Sequence, residues 1–310
     1  MEDQDKKSSN WERDIVEKLT FAAITEQRRT RRWRIFFVSL FFIYLFSIPF
    51  IFSGGLDVSK VEKEGKHTAL IDIDGVISSV SDASADKIVT ALREAFEDED
   101  TAGVILRANS PGGSPVQSSY IYHEIKRLRA KYPDIPIYSV IADLCASGCY
   151  YVAVGADTIY ANESSIVGSI GVVMNGFGFE ETIKKLGIER RTLTAGKHKA
   201  LLDPFAPIQE KEKKHLQSML DEIHQQFIAT VKEGRGSKLV QDELLFSGLI
   251  WTGAEAKKLG LIDDFGSAGY VAREIIGAEE IVDFTVQKDF LARLSDQLGA
   301  SIANSLSRIW

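Results

Sequence analysis

From His67 onward the chain alternates short β-rich runs with helical ones, an order that calls for parallel strands joined by helical crossovers. Thr68–Ile73 and Gly103–Leu106 read as buried strands. Asp82–Phe96 reads as the helix between them, with Ile88, Leu92 and Phe96 on one face. Ser114 follows the turn Asn109-Ser110-Pro111-Gly112-Gly113 and can cap a helix running to about Arg129. A strand over Pro136–Ile141 comes next, then strands at Thr158–Ala161 and around Ser169–Val173, a helix at Glu180–Leu186 and a strand at Glu189–Thr194. Beyond these the pattern is helical: Ile208 to about Glu233, Gly253–Leu259, Ala268–Ile276 and Phe290–Ile309. No internal repeat is present.

The first part of the chain has a different character. Residues 1–34 are polar and of mixed charge, with a short amphipathic helix expected around Trp11–Ile24. Ile35–Phe52 then gives eighteen residues without a charge, directly after Arg28, Arg29, Arg31, Arg32 and Arg34. As a helix this run would be roughly 27 Å long, close to the ~30 Å hydrocarbon core of a bilayer. The arginines would keep the N-terminus cytoplasmic and send the rest across the membrane. A cleaved signal peptide fits less well because 34 residues precede the run, although Ser53-Gly54-Gly55 resembles a cleavage site. A buried core helix fits less well again, since the run is apolar on every face. The expected organisation is a cytoplasmic segment 1–34, a single-pass anchor 35–52, a linker 53–66, an α/β domain 67–276, and a C-terminal strand and helix over 277–310.

Composition removes other classes. With 310 residues, 45% of them hydrophobic, the chain can bury a large core. A net charge of −7, without a basic patch outside the N-terminal region, argues against nucleic acid as a partner. Cys145 and Cys149 are too few for a disulfide framework and lack the second pair of a zinc site, so they read as small buried apolar residues.

Three features can carry chemistry. In Ala146-Ser147-Gly148, a serine lies between a strand and a small apolar, helix-like run, where it can be pushed forward as a nucleophile. The same residues also suit a plain tight turn in which Gly148 supplies the backbone freedom. Gly112 and Gly113 can turn backbone N–H groups toward an anion, either a phosphate or the oxyanion of a tetrahedral intermediate. The phosphate reading lacks the Lys-Ser/Thr pair of a P-loop. A serine also needs a base. His123, His215 and His224 fall on helical stretches that explain them as surface residues, His67 falls in the linker, and His198 is not forced into a triad. Lys199 is the less usual candidate. To act at neutral pH its pKa must fall by roughly three units, about 4 kcal/mol, which requires a dry pocket or nearby positive charge.

Asn-Ser-Pro-Gly-Gly-Ser at 109–114, Ala-Ser-Gly-Cys-Tyr-Tyr at 146–151, Val-Gly-Ser-Ile-Gly-Val at 167–172 and Gly-Lys-His-Lys at 196–199 resemble, in order and spacing, the signal peptide peptidase A family of S49-type serine proteases. Gly234-Arg235-Gly236 and Ala256–Asp263 extend the resemblance to about residues 67–275. It implies an α/β fold of the Clp-protease/crotonase-like kind, a repeated β-β-α superhelix with a helical C-terminal extension. Ser147 is then the nucleophile, Lys199 the general base, Gly113 and Gly148 the oxyanion donors, and Ser169 the hydroxyl that orients the lysine. Cys149, Ala195 and Ala200 depart from the residues frequent in the family, and none of these removes a catalytic atom. No cofactor or metal is implied. The expected substrates are cleaved signal peptides and other apolar peptides, the expected assembly is a homo-oligomeric ring, and the expected location is the outer side of a bacterial inner membrane. The competing reading is a non-proteolytic crotonase-like scaffold or adaptor of a membrane complex.

Overall fold

A computed structural model of the chain describes residues 17, 21, 25–47 and 65–286. Two compact units are present: Glu64–Lys288, and Met1–Lys63 together with Asp289–Trp310.

In the second unit, residues 25–47 are helical and their side chains are almost all exposed. Arginines occupy the first part of this helix, and the uncharged run covers only 35–47 of it. Among the described residues no helix is long and apolar enough to cross a membrane. The remainder of the expected anchor, 48–52, lies outside the described residues, as do nearly all of Trp11–Ile24 and all of Phe290–Ile309.

The larger unit is built on a mixed, mostly parallel sheet. Strands β1 (His67–Asp74), β2 (Thr101–Ser110) and β3 (Ile137–Ala146) form its centre. Flanking them are β4 (Thr158–Ala161), β5 (Ile166–Gly168), β6 (Ile250–Thr252), β7 (Asp264–Phe265) and β8 (Ile281–Asp283). The order is β6-β5-β3-β2-β1-β8, with β4 joining β3 to β7; only the β5–β6 pair is antiparallel. Successive central-strand residues serve opposite faces. Ala69, Ile71, Val104 and Leu106 enter the main core with helices α1 (Ala85–Glu97) and α2 (Pro115–Lys131), while Leu70, Ile105 and Val140 pack with Val271 and Ala272. Burial on both faces explains why apolar residues follow one another directly in these strands, as in Ala69-Leu70-Ile71 and Val104-Ile105-Leu106.

Ser114 caps α2, its side chain accepting the Gln117 N–H at 3.4 Å, with Pro115 in the first turn. Three further helices follow: α3 (Gly148–Ala153), α4 (Glu180–Lys185) and α5 (Glu210–Arg235). Next come α6 (Gly253–Lys258) and a short α-turn at Ala268–Tyr270 that widens into a π-turn over Val271–Ile276.

Two expected strands are displaced. The strand expected around Ser169–Val173 ends at Gly168, because Gly168 (φ 111°) and Ser169 (φ 52°) turn the backbone out of the ladder. Glu189–Thr194 is exposed coil rather than a strand. There the alternation of polar and apolar residues has no ladder partner among the described residues; Arg190 bonds Thr192 and Asp203, and Leu193 is fully exposed. His67 is likewise no linker residue. It opens β1, buried, with its ring stacked on Phe284 at 5.9 Å.

Candidate active site

Register brings three separated motifs to one end of the sheet. Asp74 pairs with Asn109 at the ends of β1 and β2, and Ala146 pairs with Gly168 at the ends of β3 and β5. The loop 109–114, the Ser147 turn and Ser169 thus meet at the carboxyl ends of parallel strands, where open α/β sheets form their clefts.

Ser147 links β3 to α3 with φ 55° and ψ −123°. A non-glycine residue in such a conformation costs roughly 1–3 kcal/mol and persists only where its surroundings impose it. Its N–H donates to Gly168 O at 2.8 Å, and its carbonyl accepts the Tyr151 N–H at 3.0 Å. The positive φ therefore falls on the serine and not, as the plain-turn reading has it, on Gly148. Gly148 is needed for space: a Cβ there would stand 2.5 Å from Ser118 Oγ. Gly112 (φ 94°) is pressed against the same turn, and its added Cβ would lie 2.6 Å from Ala146 O and from Gly148 N. At Gly113 (φ 152°) a Cβ would meet Ile77 O at 2.1 Å. The bridge to Ile77 uses Gly112 O and Ser114 N, each at 2.8 Å, and does not use the Gly113 N–H.

A cavity of about 750 Å³ opens over this turn, and Gly113, Ser147, Gly148 and Ser169 all line it. The Ser169 backbone N–H donates to Leu249 O at 2.7 Å, which fixes the residue at the cavity wall. Lys199, the fifth expected residue, lies in the exposed stretch 195–200 and does not line the cavity in this chain. Its neighbour His198 contacts Glu212 at 3.1 Å.

The cavity also contains residues the sequence reading passed over. Tyr151, Ile223 and Phe227 supply apolar wall. Ile223, Phe227 and Val231 recur at helical spacing along α5, and that stripe was the available signal. His224 lines the cavity rather than an outer helical surface. Its Nε2 lies 3.1 Å from Ile170 O; since a carbonyl only accepts, Nε2 carries the proton and donates.

Cys145 and Cys149 are bonded to each other, which corrects their reading as separate packing residues. The strand-to-helix turn folds back sharply enough to bring their Cα atoms within 5.2 Å, inside the range a disulfide requires. Both are buried in the main core.

Behind the turn, Tyr150 anchors α3 by donating its hydroxyl to Leu261 O at 2.7 Å, and burial pushes that phenol's pKa up. Nearby, burial would raise the Asp263 carboxyl, but bonds from Arg235, Lys238 and the Ile159 N–H hold it below its ordinary value. Among the described residues no cluster of His, Cys, Asp and Glu could hold a metal ion.

Ser147, held at positive φ between a parallel strand and a helix, and two glycine-rich backbone segments line one cavity on a mixed α/β sheet. The chain belongs to peptidase family S49, whose profile matches residues 129–280. It is 33% identical over 227 residues to a protein of Methanocaldococcus jannaschii named for a protease role, covering 71% of this chain and 72% of that one. It is 29% identical over 268 residues to a protein of Enterococcus faecium named for signal peptide peptidase SppA, covering 82% of this chain and 77% of that one. It is also 46% identical over 186 residues, 60% of this chain, to a Brucella melitensis protein named Na(+)/H(+) antiporter NhaA. The chain spans only 25% of that protein's length, and transport belongs to that protein's name alone.

Proposed function

We propose that this protein is a membrane-anchored serine endopeptidase that uses Ser147 as nucleophile and Lys199 as general base, on a Clp-protease/crotonase-like fold. The observation that carries the reading is Ser147 itself, strained at φ 55° on the cavity floor between the Gly113 and Gly148 segments. Lys199, neutral, takes the Ser147 proton as Oγ attacks a peptide carbonyl. The oxyanion is met by the N–H groups of Gly113 and Gly148, and the lysine then protonates the leaving amine. Ser169 orients the lysine.

Because Lys199 stands off the cavity of its own chain, the lysine is supplied by a neighbouring copy within a homo-oligomeric ring. Support comes from the segment that carries it. Phe177 is 80% exposed and Leu193 100% exposed, with Leu186 and Ile188 also uncovered, and exposed large apolar side chains of this kind suit burial against a partner. Contact with an apolar neighbour would also take the lysine out of water, which favours its neutral form.

The anchor is residues 35–52, with the catalytic unit extracytoplasmic. The five arginines before the run and the Cys145–Cys149 bond, of a kind that persists in oxidising compartments, support this side. Apolar peptides, remnant signal peptides among them, are the substrates; the apolar cavity wall and the Enterococcus faecium relative's name point the same way.

Mixing Ser147→Ala with Lys199→Ala chains tests the scheme. Each alone should cleave no apolar peptide. Co-assembled at equal amounts, roughly a quarter of the sites should pair an intact serine with an intact lysine across a head-to-tail interface and regain activity. Full activity of either single variant would reject the dyad. No cleavage by the wild-type chain on any apolar peptide would favour the scaffold reading.

A further inference from the structure

We infer that the Cys145–Cys149 disulfide is a positioning clamp on the nucleophile, so that the reaction proposed above runs at full rate only in the oxidised chain; this rests on Ser147 being the nucleophile. The bond joins the residue two before Ser147 to the residue two after it. Cys145 is held in the sheet, in register with Ser110 on β2 and Val167 on β5, while Cys149 sits in the first turn of α3. The covalent ring therefore closes over the residue whose backbone is strained at φ 55°. Two hydrogen bonds, to Gly168 O and from the Tyr151 N–H, act on Ser147 from either side, and the disulfide adds the remaining restraint across the turn.

Reduction must move something. Two unbonded sulfurs settle at contact distances of about 3.5–4 Å, well beyond a covalent bond. Cys145 is 0% exposed and Cys149 1% exposed, in a core with close-packed neighbours, so the surroundings give little. The turn between them packs on Gly112 on one side and borders the cavity on the other, so a shift of the sulfurs is passed to Ser147 on its cavity side. Gly113 and Gly148 act on the oxyanion only if Ser147 Oγ is placed against them, and a displacement near 1 Å can cost on the order of 10²-fold in rate.

The reductant is a small dithiol. Its thiolate attacks one sulfur of the pair and forms a mixed disulfide. Its second thiol then displaces the protein thiol, so that two electrons and two protons pass to Cys145 and Cys149 while the reagent leaves as a cyclic disulfide. Because both sulfurs are buried, the exchange needs a local opening of the first turn of α3.

The test uses the full chain, oxidised and after dithiothreitol treatment, with thiols counted by alkylation of a parallel sample. Reduction should lower kcat on an apolar peptide about tenfold or more with KM unchanged and the far-UV circular dichroism intact, and oxidised glutathione should restore it. Cys145→Ala/Cys149→Ala should match the reduced chain and ignore dithiothreitol. A reduced chain with unchanged kcat overturns the clamp. So does one that loses its folded spectrum, since the bond would then staple the fold as a whole. If neither form cleaves peptide, the peptidase reading fails by itself, and hydrogen exchange decides the clamp. Faster exchange of amides 145–151 on reduction, with β1 and β2 unchanged, supports it; unchanged exchange at 145–151 overturns it.

Discussion

Ser147 and Gly148 divide the demands of the turn between strain and space, and each can be tested alone. Ser147→Ala keeps a residue that can be forced to φ 55° and should abolish cleavage while leaving the unfolding midpoint close to wild type. Gly148→Ala puts a methyl group 2.5 Å from the buried Ser118 Oγ and disturbs an oxyanion donor. We expect a 10²–10³-fold loss of kcat and about 1–3 kcal/mol of destabilisation from overpacking. Ser118 Oγ has no hydrogen-bond partner, so Ser118→Ala alone should be near neutral and should return most of the stability to the Gly148→Ala chain. Urea unfolding of the two single variants and the double variant checks the coupling; additive effects would mean that the Oγ contact is not the source of the strain.

Among the elements, α1 and α2 are tied by one buried carboxylate. Glu124 on α2 accepts from Arg127 at 2.6 and 2.9 Å and from Arg93 of α1 at 2.7 Å. Arg127 foremost, then Arg93, hold its pKa at about 2 against the opposing effect of burial. A carboxylate depressed on folding contributes stability that is present above its ordinary value of 4.5 and lost as pH falls through 2. Both arginines are about half exposed, so screening keeps the contribution to about 1–2 kcal/mol. Glu124→Gln should therefore be less stable by that amount at pH 7, and the gap should close between pH 4.5 and 2 in urea titrations; a gap constant with pH would place the effect elsewhere. At α3, Tyr150→Phe removes the bond to Leu261 O and leaves a buried carbonyl unpaired, which should cost about 1–3 kcal/mol by thermal unfolding. The elements differ in how far the sequence disclosed them. β1 to β3 were legible because burial on both faces concentrates apolar residues in short runs such as Val104-Ile105-Leu106, and α2 because Ser114 and Pro115 mark its start. Glu189–Thr194 alternates like a strand, but alternation says nothing about whether an edge is available to pair with it. The bond between Cys145 and Cys149 and the cavity position of His224 depend on how sharply one turn folds and on where α5 docks, and neither is local information.

For the whole molecule, Ser147, Gly113, Gly148 and Ser169 meet within one chain, whereas Lys199 stays on an exposed, apolar segment. The sequence reveals the order of these residues along the chain but not which copy completes the site. If copies assemble through this segment, Leu193→Glu, at a fully exposed apolar position, should lower the mass seen by sedimentation and depress activity without changing monomer stability. An unaltered assembly would move the interface away from it. Activation of Ser147 as a nucleophile by Lys199 is read most directly with a fluorophosphonate probe. Mass spectrometry should find the label on Ser147 in the wild-type protein and none in Lys199→Ala at the same exposure. Labelling of Lys199→Ala at the wild-type rate, or a wild-type Ser147 that never takes the label, would contradict the account.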